Sequence, residues 1–130
     1  MPLDHEQAVA LVNGYIGAWN NRNREAYLAL FADNATVEDP VGTPVHGGKE
    51  AIGAFFDGSL AMADSLEMAV DESSIRVSGS AIAFMFTVVS KIGDMTIELS
   101  PIDVFTVGDD GLLTSMKAYW GGSDMRTVVA

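Results

Sequence analysis

Apolar positions in the first sixty or so residues recur at helical spacing. After Asp4 and Gln7, which stand as a capping box does, Ala8, Leu11, Val12, Tyr15, Ile16 and Trp19 fall at i, i+3, i+4, i+7, i+8 and i+11. That stripe predicts an amphipathic helix with Tyr15 on its buried face. Asn23 is placed to cap a second, shorter helix on which Tyr27, Leu30 and Phe31 share a side, ending near Asp33 and Asn34. A short strand, ATVED, then runs into PVGTPVHGG, whose prolines and glycines mark a loop. A third helix over KEAIGAFFDGSLAMA presents Ile52, Phe55, Phe56 and Leu60 at helical spacing.

From Leu66 onward the period changes to two. LEMAV, SIRVS, AIAFMFTVVSK, DMTIELSPIDVFTV and LLTSMKAYW read as strands, separated by the short turns SGS, IGD and GDDG. Helices first and strands afterwards predict an α+β fold: a curved antiparallel sheet packed on three helices from the N-terminal half, with a conical cavity between them. No repeat, linker or low-complexity tract interrupts the chain, so residues 1–130 read as a single domain.

Alternation also assigns faces. Leu99, Pro101, Asp103, Phe105 and Val107 share one face, and Ser100, Ile102, Val104 and Thr106 the other. In the last predicted strand Leu112, Thr114, Met116, Ala118 and Trp120 oppose Leu113, Ser115, Lys117 and Tyr119. Ile82, Phe84, Phe86 and Val88 likewise alternate with Ala83, Met85, Thr87 and Val89. Walls of this kind make a dry cavity suited to a flat hydrocarbon ligand.

Asp103 is out of place on such a wall. Keeping an Asp with an ordinary pKa of about 3.9 neutral at pH 7 costs roughly 4 kcal/mol, whereas an unpaired buried carboxylate costs more. Protonation is therefore the cheaper outcome unless a cation or a backbone N–H is at hand. A neutral carboxylic acid donates a hydrogen bond, and beside a tyrosine hydroxyl it suits a developing oxyanion.

Composition narrows the partners. Hydrophobic residues are 48% of the chain and charged ones 19%, which describes an ordered globular protein. No apolar run approaches the length of a membrane span, and no basic segment followed by an apolar one opens the chain as in a secretory leader. With no cysteine there is neither a disulfide framework nor thiolate chemistry, and a cytoplasmic setting is expected. A formal net charge of −11 repels nucleic acid and anionic membranes but is indifferent to a neutral ligand. His5 and His46 are isolated and compose no metal site.

FADNATVEDPVG, the helical Tyr15 upstream, IDVFTV and the terminal SMKAYWGG, in that order and spacing, resemble the bacterial Δ5-3-ketosteroid isomerases of the NTF2-like, SnoaL-like superfamily. The resemblance covers nearly the whole chain and implies a homodimer that needs no metal or organic cofactor. It maps a general base onto Asp39 and oxyanion-hole donors onto Tyr15 and Asp103. A carboxylic acid kept neutral by an apolar site is a known pattern in that family, so the cost comparison for Asp103 agrees with precedent. The implied reaction moves the double bond of a 3-oxo-Δ5-steroid into conjugation. Phe56, Phe86, Leu99, Met116, Ala118 and Trp120 are expected to line the steroid site.

The chain also departs from the pattern. Phe31 and Phe56 stand where well-known members carry tyrosines linked by hydrogen bonds to the catalytic one, so Tyr15 is expected to be less polarised. Pro101 cannot donate to a strand ladder and predicts an edge, a bulge or an altered wall. Two other readings use the same cavity: a polyketide cyclase or dehydratase that keeps Asp39 without needing Asp103, and a non-catalytic module that only binds an apolar ligand.

Overall fold

The computed structural model describes residues 3–129; of the predicted domain, residues 1, 2 and 130 lie outside that range. Among the described residues three α-helices pack on a curved sheet of nine strands, two of which lie between the second and third helices in the chain. Helix α1 spans His5–Asn20 and opens with the predicted capping box: Asp4 accepts from the Gln7 backbone N–H, and the Gln7 side chain from the Asp4 N–H. Its buried face carries Ala8, Val12, Tyr15, Ile16 and Trp19. Helix α2, Arg24–Ala29, is capped by Asn23, whose side chain accepts from the Ala26 N–H.

That second helix is shorter than its spacing predicts. Phe31 to Asn34 already belong to strand β1, Phe31–Glu38, so a helix ending near Asp33 and Asn34 is corrected. Tyr27 and Phe31, both buried and four residues apart, keep helical spacing across the boundary. β1 pairs with β8, Leu113–Tyr119, with a register shift between Phe31 and Thr36. β1 runs parallel to β8, which also corrects a purely antiparallel sheet. A two-residue strand β2, His46–Gly47, pairs with β1 and leads into α3, Gly48–Ala61.

β3, Ser65–Val70, and β4, Arg76–Ser78, flank the twelve-residue β5, Ala81–Ile92, on one side; β6, Met95–Leu99, and β7, Ile102–Val107, flank it on the other. The predicted strand from Asp94 to Val107 is thus two strands. Pro101, with no N–H to give the ladder, separates them; its carbonyl accepts from the Phe86 N–H, and Ser100 donates to the Asp124 carbonyl. β9, Met125–Val129, which alternation did not signal, pairs with β6.

Faces follow the alternation except at a bulge. Ile82, Phe84, Phe86 and Val88 are buried, as are Pro101, Asp103, Phe105 and Val107. In β8, Leu113 is buried together with Met116 and Ala118, against its expected grouping with Lys117 and Tyr119. Thr106 pairs with Ser115 but Val107 with Leu113, so the extra residue Thr114 reverses the faces there.

Candidate active site

A cavity of about 220 Å³ lies between α1, α3 and the concave side of the sheet. Tyr15, Asp39 and Asp103, far apart in sequence, all line it. Each is placed by ordinary local rules. Tyr15 sits on the inner stripe of α1, 2% exposed, with its ring edge-on to Phe105 and Phe84 at centroid distances of 5.0 and 6.4 Å. Asp103 is the second residue of β7, opposite Phe84 of β5 and Ala118 of β8, and the small Ala118 leaves it room toward the cavity. Asp39 follows the last residue of β1. The loop after it is tied down by the Val41 N–H on the Ala118 carbonyl (2.8 Å) and the Gly42 N–H on the Glu38 carboxylate (2.9 Å).

Asp103 is 1% exposed and is the only buried charged-type side chain among the described residues. Neither carboxyl oxygen has a hydrogen-bond partner, and no Lys or Arg pairs with it. Burial above all, and then the charge of Asp39, raise its pKa well above the carboxylate range; the Tyr15 hydroxyl works in the opposite direction. Tyr15 is near enough to be felt but makes no bond of proper geometry with either oxygen, so the carboxyl retains both a proton to donate and a free acceptor. Burial likewise pushes the Tyr15 phenol up, aided by Asp103, Tyr27 and Asp39 and opposed by Trp19. Both shifts favour the neutral form of each group, at one end of an apolar chamber.

Asp39 is in a different state of balance. Burial raises its pKa, while the Trp120 indole N–H, donating to Oδ1 at 2.8 Å, and the nearby His46 lower it. A hydrogen bond from a neutral donor holds this carboxylate without neutralising it. Burial wins at Asp39 as it does at Asp103, so both carboxyls are shifted upward, Asp103 further than the hydrogen-bonded Asp39; two carboxyls in unequal surroundings within one cavity suit proton transfer to and from a polarised substrate.

Of the expected steroid-lining residues, Phe86, Leu99, Ala118 and Trp120 line the cavity. Phe56 and Met116 do not, and their placement is corrected. Along α3 the cavity takes Phe55 and Ser59, one turn apart, while Ile52, Phe56 and Leu60 turn into the core. There Phe56 stacks on Tyr27 at 4.4 Å and packs on Trp19 at 4.5 Å. Met116 pairs with Phe105 beneath the floor. Sequence reasoning missed Trp19, Leu66, Met68 and Val88 in the lining; Trp19 shares a helical stripe with Tyr15 and Val88 a strand face with Phe86, whereas no chosen residue shared the strand of Leu66 and Met68. Among the described residues no cluster of three His, Cys, Asp or Glu could hold a metal ion, and no helix is long and apolar enough to cross a membrane.

The SnoaL-like domain family model matches residues 12–116. A steroid Δ-isomerase from Nocardioides simplex is 38% identical over 116 residues, covering 89% of this chain and 91% of that protein. The crystal structure of RV0760c from Mycobacterium tuberculosis superposes with a TM-score of 0.84 at 28% identity, covering 97% and 99% of the two chains. In complex with estradiol-17β-hemisuccinate, RV0760c matches with a TM-score of 0.80 at 29% identity, over 92% and 98%. The epoxide hydrolase/cyclase-like enzyme SalBIII, 23% identical with a TM-score of 0.84 over 94% and 96%, shares the fold.

Proposed function

The chain belongs to the SnoaL-like domain family, and on that premise we propose that it is a steroid Δ-isomerase converting 3-oxo-Δ5-steroids into their Δ4 isomers. Asp39, ionised, takes the β proton from C4, leaving a dienolate, and returns that proton to C6. Tyr15 and Asp103 donate to the C3 oxygen, whose negative charge grows as the C4 proton leaves, so they favour the transition state over the bound ketone. Each such donor supplies on the order of 100-fold or more in rate. The Trp120 N–H steadies the Asp39 carboxylate and, with Phe86, Leu99 and Ala118, offers apolar surface to the rings.

The observation that carries this reading is Asp103: a fully buried carboxyl with no partner, beside a buried phenol, in an apolar cavity whose other wall bears a hydrogen-bonded carboxylate. A structural aspartate has a partner; a hydrogen-bond donor waiting for a ligand oxygen does not. The relative named for this activity and the relative crystallised with an estradiol ester support the steroid as substrate class. Following the family, the protein acts as a cytoplasmic homodimer over one domain, without metal or organic cofactor.

Incubation with 5-androstene-3,17-dione, followed by conjugated-enone absorbance, is the direct test. Turnover is expected, and Asp39→Asn should abolish it while leaving steroid affinity within a few-fold, because the base is lost and the pocket is not. Absence of any rate above buffer would turn the assignment toward a cyclase or dehydratase acting on another enolisable ketone, or toward a ligand-binding module.

A further inference from the structure

Buried side-chain polar atoms without a partner are few, and they are not scattered. Among the described residues they are, besides the two oxygens of Asp103, the Trp19 indole N–H and the Tyr27 hydroxyl. Both aromatic rings touch Tyr15, Trp19 edge-on at 6.4 Å and Tyr27 at 6.0 Å. Leaving a buried donor unmade costs about 1–3 kcal/mol, so a cluster around one hydroxyl calls for an account in terms of that hydroxyl.

Trp19 and Tyr27 differ in what they can do. Trp19 lines the cavity, whereas Tyr27 does not. Trp19 also stands one turn after Tyr15 on α1, and because helical side chains lean toward the N-terminus, its indole lies over the Tyr15 turn. Packing against Phe55, Phe56 and Tyr27 at centroid distances of 6.1, 4.5 and 5.2 Å fixes its plane. The Trp19 indole lowers the Tyr15 pKa and so favours the phenolate, while Tyr27 raises it. Phe31 and Phe56, which flank Tyr27, have no hydroxyl to offer.

We propose that Trp19 is a positioning residue, whose indole N–H closes on the phenolic oxygen of Tyr15 when Tyr15 donates its own proton to a ligand oxygen. Donation makes the phenolic oxygen a better acceptor, and the second bond in turn strengthens the first. The same bond fixes the direction of the Tyr15 O–H. The proposal rests on Tyr15 being the donor to a ligand oxygen.

The test replaces Trp19 with β-(3-benzothienyl)alanine, in which sulfur stands for the N–H and the shape is kept; Trp19→Phe serves as a second variant. Affinities for estradiol and for 3-deoxyestradiol, which lacks the A-ring oxygen, are measured in parent and variants. The parent should prefer estradiol, and loss of the N–H should weaken estradiol on the order of tenfold while leaving 3-deoxyestradiol within twofold. kcat for the enone reaction should fall by a similar factor with KM little changed. Equal weakening of both ligands would make Trp19 a wall and nothing more, and unchanged affinities, or a parent with no preference for the oxygen, would equally overturn the proposal. A parent that prefers estradiol yet forms no enone would remove the isomerase assignment alone, since the affinity comparison does not depend on turnover.

Discussion

Replacing Asp103 by Asn removes one titratable proton while preserving shape, and its effect on stability has a calculable slope. In an unfolded chain an Asp gives up its proton near pH 3.9. In the fold, burial first and the Asp39 charge second hold it far longer. Between those two points the folded state binds one more proton than the unfolded state, so stability falls as pH rises, by about 1.36 kcal/mol per pH unit. Below the unfolded value the penalty is absent, and above the folded value it is constant. A carboxyl still protonated at neutrality therefore costs about 4 kcal/mol at pH 7, a large share of the roughly 5–15 kcal/mol that holds a domain folded. Asn carries no such slope. Urea unfolding of parent and Asp103→Asn between about pH 5 and pH 7 should show the variant gaining about 1.4 kcal/mol per pH unit. Asp39, Tyr15 and Tyr27, the other shifted groups around the site, are present in both proteins and largely cancel in the difference. Parallel curves would mean that Asp103 is ionised inside the cavity, and the oxyanion-hole role would fail with it.

Two further outcomes follow from named hydrogen bonds. Trp120→Phe deletes the donor that lowers the Asp39 pKa, so the acidic limb of kcat/KM should move to higher pH, with several-fold lower activity in mildly acidic buffer and near-parent activity in mildly alkaline buffer; an unmoved limb would take Trp120 out of tuning the base. Tyr27→Phe deletes an unpartnered buried hydroxyl and should raise stability by about 1 kcal/mol in urea unfolding, where the usual loss of a buried hydrogen bond would lower it.

Periodicity carried most of the fold because each half of the chain has one dominant period and one buried face. A capping box and a stripe placed α1, a stripe alone placed α3, and alternation put Asp103 on the inner face of β7. What escaped were departures from regularity. The four-residue spacing of Tyr27 and Phe31 carried the helical reading past its end, the bulge at Thr114 turned Leu113 inward, and β9, exposed from Met125 to Val128, has no alternation to read. At the site, the catalytic candidates came from quoted motifs, whereas Phe56 failed as a wall because neighbouring helical residues differ by about 100° in direction. Only packing reveals whether Phe55 or Phe56 faces the chamber. The Trp120 bond to Asp39 joins residues 39 and 120, a pairing set by the parallel run of β1 beside β8 that no local pattern encodes.

The interruption at Ser100 and Pro101 gives the far end of the chain a hold on ligand shape. Leu99 and Pro101 form part of the cavity wall, and the strand leading to them is clamped by β9, by Ser100 on Asp124 and by the Arg126 guanidinium on Glu98 at 2.7 Å. Substitutions among residues 124–128 can therefore shift this stretch of the cavity wall without touching Tyr15, Asp39 or Asp103. Selectivity between bulkier and slimmer guests is free to drift along this outer seam while the reaction chemistry stays fixed.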